Sequence, residues 1–340
     1  MKKILTDKSL QKKVLFSGRY EGMLAIPIGK TSDSGIEFEI TDLPQKTRSL
    51  FSYWLESTRA FTITATFMPA LSVILYGILN QWQGNILNGF LALLGCSCLQ
   101  LGTNLMNDYE DHRRLIDGPG KPGGAGVIQK GFLTPAFVFW NSLIFFALGI
   151  FLGLPSVINS PSILLPVAAL SFIIALGYSG WPFYFKYKAL GGISVLLACG
   201  PLLTWGMALA TYDRMDLGLF GIGLFYGLLA CGILDSNNLE DMEIDKASGS
   251  LTLMHLLGFD KAKWLLLIYY SFSIVLYFFL PLPSLCVLCL LPIGFLLYKG
   301  FKATQMKTYE EFSGYRIISA QGHLLAGLIL NITLLIKIFF

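Results

Sequence analysis

Charged residues are scarce in this chain. Asp, Glu, Lys and Arg together make up 14% of its 340 residues, and the mean hydropathy is +0.62. Soluble domains carry about 25% charged residues, so this composition excludes an ordinary soluble enzyme. With 54% hydrophobic residues, it is typical of a polytopic membrane protein.

Histidine and cysteine are scarce as well. The three histidines stand at positions 112, 255 and 323 without metal-ligand spacing. Cys286 and Cys289 resemble half of a metal or redox site, but they have no second pair and no nearby histidine. We therefore predict that all six cysteines are small, buried hydrophobic residues.

The first 57 residues lack an apolar run of signal-peptide length, so we expect no cleaved secretion signal. They are polar and basic, and we expect residues 1–57 to form a cytoplasmic N-terminal extension ahead of a transmembrane domain over residues 58–340. Residues 22–28 and 36–40 either form a small hairpin or lie disordered on the membrane surface.

Long apolar segments, by contrast, are abundant. Nine stretches are close to the 17–25 residues with which a helix crosses a hydrocarbon core of about 30 Å. The sequence therefore predicts an all-α polytopic membrane protein with about nine transmembrane helices. The segments are residues 58–80, 85–106, 135–154, 161–180, 189–210, 217–238, 262–281, 284–300 and 317–338.

The basic residues predict how these helices are oriented. Of the 25 Lys and Arg residues, 23 lie in the N-terminal extension or in alternate loops, and only Arg214 and Lys337 lie on the other side. Because cytoplasmic loops carry an excess of Lys and Arg, we expect the N-terminus and the basic loops in the cytoplasm and the C-terminus outside. For a bacterial cell this means the inner membrane.

A first acidic motif, residues 107–111 and on to Asp117, lies where the second apolar segment ends. In a helix, Asn107, Asp108 and Asp111 point to one face because Asp111 is four residues from Asn107 and three from Asp108. Their negative charge accumulates at the C-terminal end of that helix, where the helix dipole favours cations. The motif therefore predicts a positively charged ligand.

A second acidic motif, residues 237–241 and on to Asp245, ends the sixth apolar segment. It repeats the arrangement, with Asn238, Asp241 and Asp245 on one helical face. Asn237 precedes them, and Asp235, one turn earlier, is expected to face a central cavity because a carboxylate in hydrocarbon is costly. Both motifs fall on the cytoplasmic side of the predicted topology.

The chemistry of these side chains suggests a magnesium-bound diphosphate. Mg²⁺ prefers hard oxygen ligands and typically takes one or two carboxylates, with water and phosphate oxygens in its remaining positions. A diphosphate held between the two motifs by Mg²⁺ accounts for both. The candidate ligands of the metal are Asp108, Asp111, Asp117, Asp241 and Asp245.

Basic, amide and aromatic residues near the motifs are candidate substrate ligands. Residues 118–123 match a dinucleotide-binding glycine pattern, but no βαβ unit surrounds them, and we expect a loop whose lysines contact phosphate. Basic residues at helix ends neutralise a diphosphate, and buried amides require partners. The candidates are Arg59, Asn104, Asn107, Lys121, Lys130, Tyr178, Lys186, Lys188, Asn237 and Asn238.

These motifs resemble those of the UbiA superfamily of intramembrane aromatic prenyltransferases, and most of all its 1,4-dihydroxy-2-naphthoate polyprenyltransferase branch, which serves menaquinone synthesis. The resemblance covers about residue 58 to the C-terminus. It lies in residues 104–117 (NLMNDYEDHRRLID), 123–131 (GGAGVIQKG), 178–192 (YSGWPFYFKYKALGG) and 237–258 (NNLEDMEIDKASGSLTLMHLLG).

The resemblance implies nine helices around a central cavity that a polyprenyl diphosphate enters from the bilayer. It implies catalytic roles for Asp108, Asp111, Asp241 and Asp245, with Mg²⁺ as the cofactor. The allylic cation then alkylates the aromatic acceptor, with loss of its carboxyl group in the naphthoate branch. The chain departs from the family pattern at two positions, where Glu240 replaces an Arg and Ser250 replaces a Lys.

Two alternatives stay open at this point. The same chemistry serves other acceptors, such as 4-hydroxybenzoate, homogentisate or a chlorophyll-type acceptor. A divalent-cation transporter also needs acidic clusters, but it predicts polar residues along a path across the bilayer, whereas the acids here gather on one side. The expected partners are the two substrates and the lipid bilayer, with no nucleic acid and with the oligomeric state undetermined.

Overall fold

The structure is a computed structural model that describes residues 1–32, 34–119, 124–247 and 250–340. It is mostly helical, as predicted, with one small sheet at the N-terminus. The helices are α1 (Lys8–Ser17), α2 (Leu50–Thr58), α3 (Thr64–Leu79), α4 (Ile86–Arg113), α5 (Pro135–Asn159), α6 (Pro161–Gly177), α7 (Gly191–Ala198), α8 (Pro201–Tyr212), α9 (Leu217–Glu240), α10 (Met242–Ala247), α11 (Leu253–Leu257), α12 (Phe259–Ala262), α13 (Trp264–Tyr277), α14 (Leu290–Thr304) and α15 (Tyr315–Phe339).

The N-terminal sheet is antiparallel and has four strands. These are β1 (Lys2–Leu5), β2 (Arg19–Tyr20), β3 (Met23–Lys30) and β4 (Ile36–Thr41), in the order β1-β4-β3-β2. Of the two alternatives for this region, the structure has the hairpin, formed by β3 and β4. The alternation of buried and partly exposed residues in β4 explains why it forms a strand with one face on a core.

The sheet and α1 pack against the ends of the membrane helices. Val14 and Phe38 are buried in their small core, and Leu115, just after α4, packs against it. The ring Nε2 of His112 lies 3.1 Å from the carbonyl oxygen of Leu15. The sheet therefore lies beside the loop that follows the first acidic motif.

The short helix α2 connects the sheet to the first apolar segment. Ser49 caps its N-terminus by accepting a hydrogen bond from the backbone N–H of Ser52. Phe51 and Leu55 are exposed on one face, whereas Tyr53 is fully buried on the other. This pattern is typical of a helix that lies in a membrane interface.

Each of the nine predicted apolar segments contains helix in the structure. Within the part of the chain that the structure describes, six spans are long and apolar enough to cross a membrane, namely residues 86–113, 135–159, 191–212, 217–240, 284–304 and 310–339. The helices α3 and α6 are apolar but shorter. An integral, multi-pass membrane protein is therefore supported, and the count of nine spans stays a prediction.

The fifth apolar segment is broken into α7 and α8 at Gly200. Pro201 begins α8, and because proline has no backbone N–H it cannot continue the hydrogen bonding of α7. A Cβ on Gly200 would lie 2.8 Å from the carbonyl oxygen of Gly223, so only glycine lets α9 approach this closely. The sequence pattern suggested one continuous helix here.

The helices are not equivalent in their surroundings. The helix α9 packs against α7, α8, α13 and α15, and α4 packs against α3, α5, α6 and α8. Among the described residues, α13 and α14 contribute no side chain to the central cavity, because they pack against the outer sides of α9 and α15. The predicted ring around a cavity is thus formed here by α3 to α9 and α15.

Candidate active site

A cavity of about 950 Å³ opens between these helices. Most of its lining is apolar and comes from the middle parts of α4 to α9. The charged lining residues that the structure describes lie near the ends of α2, α4 and α9, near the start of α15, in α10 or in the adjoining loops. They are Glu56, Arg59, Asp111, Asp117, Lys186, Asp241, Asp245 and Arg316.

Asp111 is the centre of the first acidic motif. Its Oδ2 accepts hydrogen bonds from Lys186 Nζ at 2.7 Å and from Asn107 Nδ2 at 2.9 Å, and its Oδ1 accepts one from Tyr187 Oη at 2.7 Å. Lys186 Nζ also donates to Asn107 Oδ1 at 2.8 Å. Asn107 and Asp111 therefore share one helical face, as their spacing predicts, and both contact the same ammonium group.

Asp108 has a different environment. Its Oδ1 accepts a hydrogen bond from an Nη of Arg59 at 2.7 Å, and its Oδ2 lies 3.4 Å from the backbone nitrogen of Ala125. Gly124 has φ +55°, and a Cβ there would lie 2.1 Å from Asp108 Oδ1. Asp108 is not one of the described residues that line the cavity, because Gly124 and Ala125 cover its carboxylate.

Asp117 lies in the loop after α4 and is buried beside the other two aspartates. Burial, followed by the negative charges of Asp111 and Asp108, raises the pKa of Asp117 well above its ordinary value. The only polar contact that its carboxylate makes with the described side chains is a long one, 3.5 Å from Gln129 Nε2. The first motif thus has more negative charge than Arg59 and Lys186 neutralise.

The second acidic motif faces the same cavity from α9. Asn237 Nδ2 donates to Asp241 Oδ2 at 2.9 Å, and Asn237 Oδ1 accepts a hydrogen bond from Arg316 Nη1 at 2.9 Å. Burial and the neighbouring Glu240 raise the pKa of Asp241. The second motif therefore repeats the first, with an asparagine that connects an aspartate to a cation.

Asp245 follows in α10 and also lines the cavity. Its burial raises the pKa of its carboxyl group to about 7, against the partly compensating charge of Lys186. Asn238 lines the cavity too, and its Nδ2 donates to Asp235 Oδ1 at 3.1 Å. Asp235 itself is fully buried behind the lining, where Tyr269 donates to it at 2.8 Å, so its predicted position in the cavity is wrong.

The remaining candidates divide into two groups. Asn104 and Tyr178 line the cavity. Among the residues with described positions, Lys130 and Lys188 do not line it; Lys130 lies 4.0 Å from Glu56, and Lys188 pairs with Leu251 in an isolated bridge. Lys121 lies outside the described residues.

Sequence reasoning missed Arg316 and Tyr187. Arg316 lies far along the chain from both motifs, at the start of α15. In the sequence it contributed only to the predicted membrane orientation. It places a positive charge next to Asn237, three residues before Glu240. Tyr187 lies within residues 178–192, one of the segments that carry the family resemblance, but nothing in that segment indicated a hydrogen bond to Asp111.

The donor set fits Mg²⁺. Within the described parts of the chain no three acidic, histidine or cysteine side chains form a ready-made metal cage. Mg²⁺ does not need one, since water and phosphate oxygens complete its coordination. Four aspartates among the described lining residues are hard oxygen donors, from the ends of α4 and α9 and from the segments that follow them. Burial, followed by the charges of Asp111 and Asp108, raises the pKa of Asp117, and a divalent cation bound there would offset both effects.

Comparisons with known proteins agree with this geometry. The sequence model of the UbiA prenyltransferase family matches residues 55–312. A 1,4-dihydroxy-2-naphthoate octaprenyltransferase of Escherichia coli is 32% identical over 62% of this chain and 70% of its own length. The enzyme of the same name from Bacillus subtilis is 29% identical over 66% of this chain and 71% of its own.

Solved structures show the same fold. A UbiA homologue from Archaeoglobus fulgidus, bound to GPP and Mg²⁺, aligns with a TM-score of 0.53 and 16% identity, covering 82% of this chain and 99% of that one. The structure reported for digeranylgeranylglyceryl phosphate synthase aligns with a TM-score of 0.56 and 19% identity, over 84% and 98% of the two chains. The family match spans most of this chain, and the chain is a member of the UbiA prenyltransferase family.

Proposed function

We propose that this prenyltransferase moves a polyprenyl group from a polyprenyl diphosphate to 1,4-dihydroxy-2-naphthoate, with Mg²⁺ as its cofactor. The observation that carries the proposal is the convergence of four aspartates and three cations at the polar end of an otherwise apolar cavity. A substrate with a charged head and a hydrocarbon tail matches this division. The names of the curated relatives support the choice of acceptor.

The diphosphate would lie between the two acidic motifs. Arg59, Lys186 and Arg316 line this end of the cavity, so each can donate hydrogen bonds to phosphate oxygens. We propose Asp111 and Asp117 on one wall, and Asp241 and Asp245 on the other, as the residues that hold Mg²⁺. Bound there, the metal would neutralise the diphosphate and make it a better leaving group.

Asp108 would act through Arg59 rather than at the metal. Its carboxylate is covered by Gly124 and holds the guanidinium of Arg59 at 2.7 Å. Arg59 also donates to the carbonyl oxygen of Asn104 at 3.0 Å, and Asn104 Nδ2 donates to Thr58. These contacts fix the direction of the Arg59 side chain toward the cavity.

In the transfer step the allylic C–O bond breaks, the diphosphate leaves with the electron pair, and a C–C bond forms to the electron-rich ring. The ring carbon that is alkylated loses its carboxyl group as CO₂. The apolar walls of α5 to α8 exclude water from the allylic carbon. The aromatic ring of Tyr178, at the boundary between the polar and apolar lining, lies where it can stabilise positive charge.

We further propose that the protein lies in the inner membrane with the polar end of the cavity on the cytoplasmic side. The basic loops support this orientation. The N-terminal extension, residues 1–57, would then be cytoplasmic and the C-terminus would be outside.

The proposal is tested with purified protein, a polyprenyl diphosphate and a panel of aromatic acids, with products identified by mass spectrometry. Asp241→Asn should reduce turnover at least about 100-fold, since lost charge stabilisation typically costs that much. The exposed Glu243, two residues away, gives a matched control in Glu243→Gln. EDTA should stop turnover and added Mg²⁺ should restore it.

The outcomes separate the alternatives. Turnover of Asp241→Asn near that of the wild type would remove the site assignment. Prenylation of 4-hydroxybenzoate or homogentisate in preference to the naphthoate would replace the acceptor but keep the chemistry.

A further inference from the structure

A second, smaller cavity of about 370 Å³ lies between the N-terminal sheet and the active site. Lys30 and Ile36, at the facing ends of β3 and β4, form one side of it. The other side is formed by the residues just after Asp111 and by two more distant residues. These are Arg113, Arg114, Leu115 and Ile116, together with Tyr187 and Ser250. We call it the sheet pocket, and its volume is within the range of about 300–1,000 Å³ that small-molecule sites have.

The sheet pocket is positively charged. Lys30, Arg113 and Arg114 line it, and no acidic residue of the described chain does. The two arginines share one carboxylate, that of Glu110, at 2.8 Å and 3.4 Å. Three cations among the described residues thus line the pocket, and a single carboxylate pairs with two of them, which favours an anionic ligand.

Ser250 adds an independent indication of a ligand. Its side chain is 5% exposed and lines the pocket, and its Oγ has no hydrogen-bond partner among the residues described. Its backbone is held in place by hydrogen bonds from Ser250 N to Asp245 O and from Ala189 N to Leu251 O. A buried hydroxyl without a partner is costly, and a ligand oxygen would satisfy it.

The rest of the lining is apolar or aromatic, from Ile36, Leu115, Ile116 and Tyr187. An inorganic phosphate or diphosphate would leave these surfaces without a matching group. An aromatic carboxylic acid matches both the charged and the apolar part of the lining, because its carboxylate can lie toward the cations and its ring against the apolar side chains.

The sheet pocket is adjacent to the active site. Ile116 lines both cavities, and Tyr187 lines the sheet pocket while its hydroxyl donates to Asp111 at 2.7 Å. The guanidinium of Arg114 lies over the rings of Tyr184 and Tyr187, 4.0 Å and 4.5 Å from their centroids, which fixes its position. A ligand in the sheet pocket would therefore be separated from the active-site residue Asp111 by the side chain of Tyr187.

We propose that the sheet pocket binds the carboxylate of the water-borne aromatic acceptor before it enters the active site. The inference rests on the proposed function for the identity of the acceptor, but not for the existence of the anion site. It also assigns a role to the N-terminal sheet, whose Lys30 supplies one of the three cations.

Binding to the full-length protein in nanodiscs tests the proposal without turnover. Equilibrium dialysis compares three probes: 1-hydroxy-2-naphthoate, 1-naphthol, which lacks the carboxylate, and inorganic pyrophosphate. Lys30→Gln should raise the Kd of 1-hydroxy-2-naphthoate about two- to fivefold, the range of one exposed charge contact, and Lys30→Glu should raise it about tenfold. Lys12→Gln removes the same charge from an exposed site on α1 and should change nothing.

The outcomes of these measurements either support or overturn the carboxylate site in the sheet pocket. Equal affinities in Lys30→Gln, Lys12→Gln and the wild type would overturn the inference, as would a Lys30 dependence seen with pyrophosphate and not with the naphthoate. In a turnover assay, Lys30→Glu should raise the KM of the acceptor and not that of the prenyl diphosphate. Carboxylate binding without any prenyl transfer would contradict the proposed function alone.

Discussion

The contact between Lys186 and Asp111 leads to the sharpest prediction. Their charges are 2.7 Å apart, and the two side chains are only 18% and 5% exposed. Burial lowers the pKa of Lys186, but the charge of Asp111, together with Tyr178, Asp245 and the hydrogen bond to Asp111, outweighs it and raises the pKa above its ordinary value. The ammonium group thus serves as a counter-ion of the first acidic motif.

The magnitude follows from the geometry. At 2.7 Å and an effective dielectric constant of about 20, the attraction is about 6 kcal/mol. The desolvation of Lys186 and the hydrogen bonds that Asp111 keeps to Asn107 and Tyr187 offset part of it, so Lys186→Met should cost about 2–4 kcal/mol. With an unfolding entropy of about 2.1 cal/mol/K per residue, this loss lowers the Tm of a 340-residue chain by about 3–6 °C.

Thermal unfolding followed by tryptophan fluorescence measures the effect, first in EDTA and then with Mg²⁺. The variant should regain more stability from Mg²⁺ than the wild type does, because the cation that competes for the aspartates is gone. Lys188→Met is the control, since Lys188 is exposed and two residues away. Equal melting temperatures of the two variants in EDTA, or equal gains from Mg²⁺, would refute the reasoning.

Three further predictions concern single residues at the cavity. Gly124→Ala places a methyl carbon 2.1 Å from Asp108 Oδ1 at a φ of +55°. It should lower the free energy of unfolding by about 1–3 kcal/mol and remove most of the activity, as measured by thermal melting and turnover. Gly294→Ala, whose methyl carbon meets nothing within 4 Å, should change neither. The pKa of about 7 for Asp245 means that the folded state holds a proton more tightly than the unfolded chain, so without metal the stability contributed by this group declines as pH rises from about 4 to 7. For the same reason the Mg²⁺ concentration that gives half of the maximal thermal shift should rise below pH 7. The absence of this rise, or a rise of undiminished size in Asp245→Asn, would contradict the assignment. Arg316→Met should raise the KM of the prenyl diphosphate about tenfold and Arg316→Lys less, and a KM unchanged in both would mean that Arg316 does not reach the diphosphate.

The position of the acidic motifs could be predicted from the sequence. Helical spacing alone places Asn107 with Asp111, and the structure has them on one face with a shared contact to Lys186. The two motifs end parallel helices of similar length, which is why both reach the same cavity. Their roles in catalysis stay predictions.

The sequence could not predict which carboxylates the cavity exposes. Asp108 and Asp111 differ by less than one helical turn, yet Asp108 is covered and Asp111 is not. The difference depends on Gly124, which reaches Asp108 only because its backbone adopts a positive φ. A loop conformation of this kind leaves no periodic pattern in the sequence.

Contacts between distant segments were equally hidden. Arg316 approaches Asn237 only because α15 packs against α9. Of the N-terminal sheet, the sequence indicated only the central hairpin, and only as one of two alternatives, because β1 and β2 have four and two residues. Strands this short are too brief for an alternating pattern to be seen.

The outer position of α13 and α14 gives the two acidic motifs unequal support. The second motif ends α9, against which α13 packs, while the first motif ends α4, which α1 and α5 support. A lipid-facing substitution that loosens α13 should therefore speed amide hydrogen exchange at the second motif and spare the first. Membranes that differ in thickness or composition would then act mainly on the second motif, so that the lipid environment would affect one wall of the cavity more than the other.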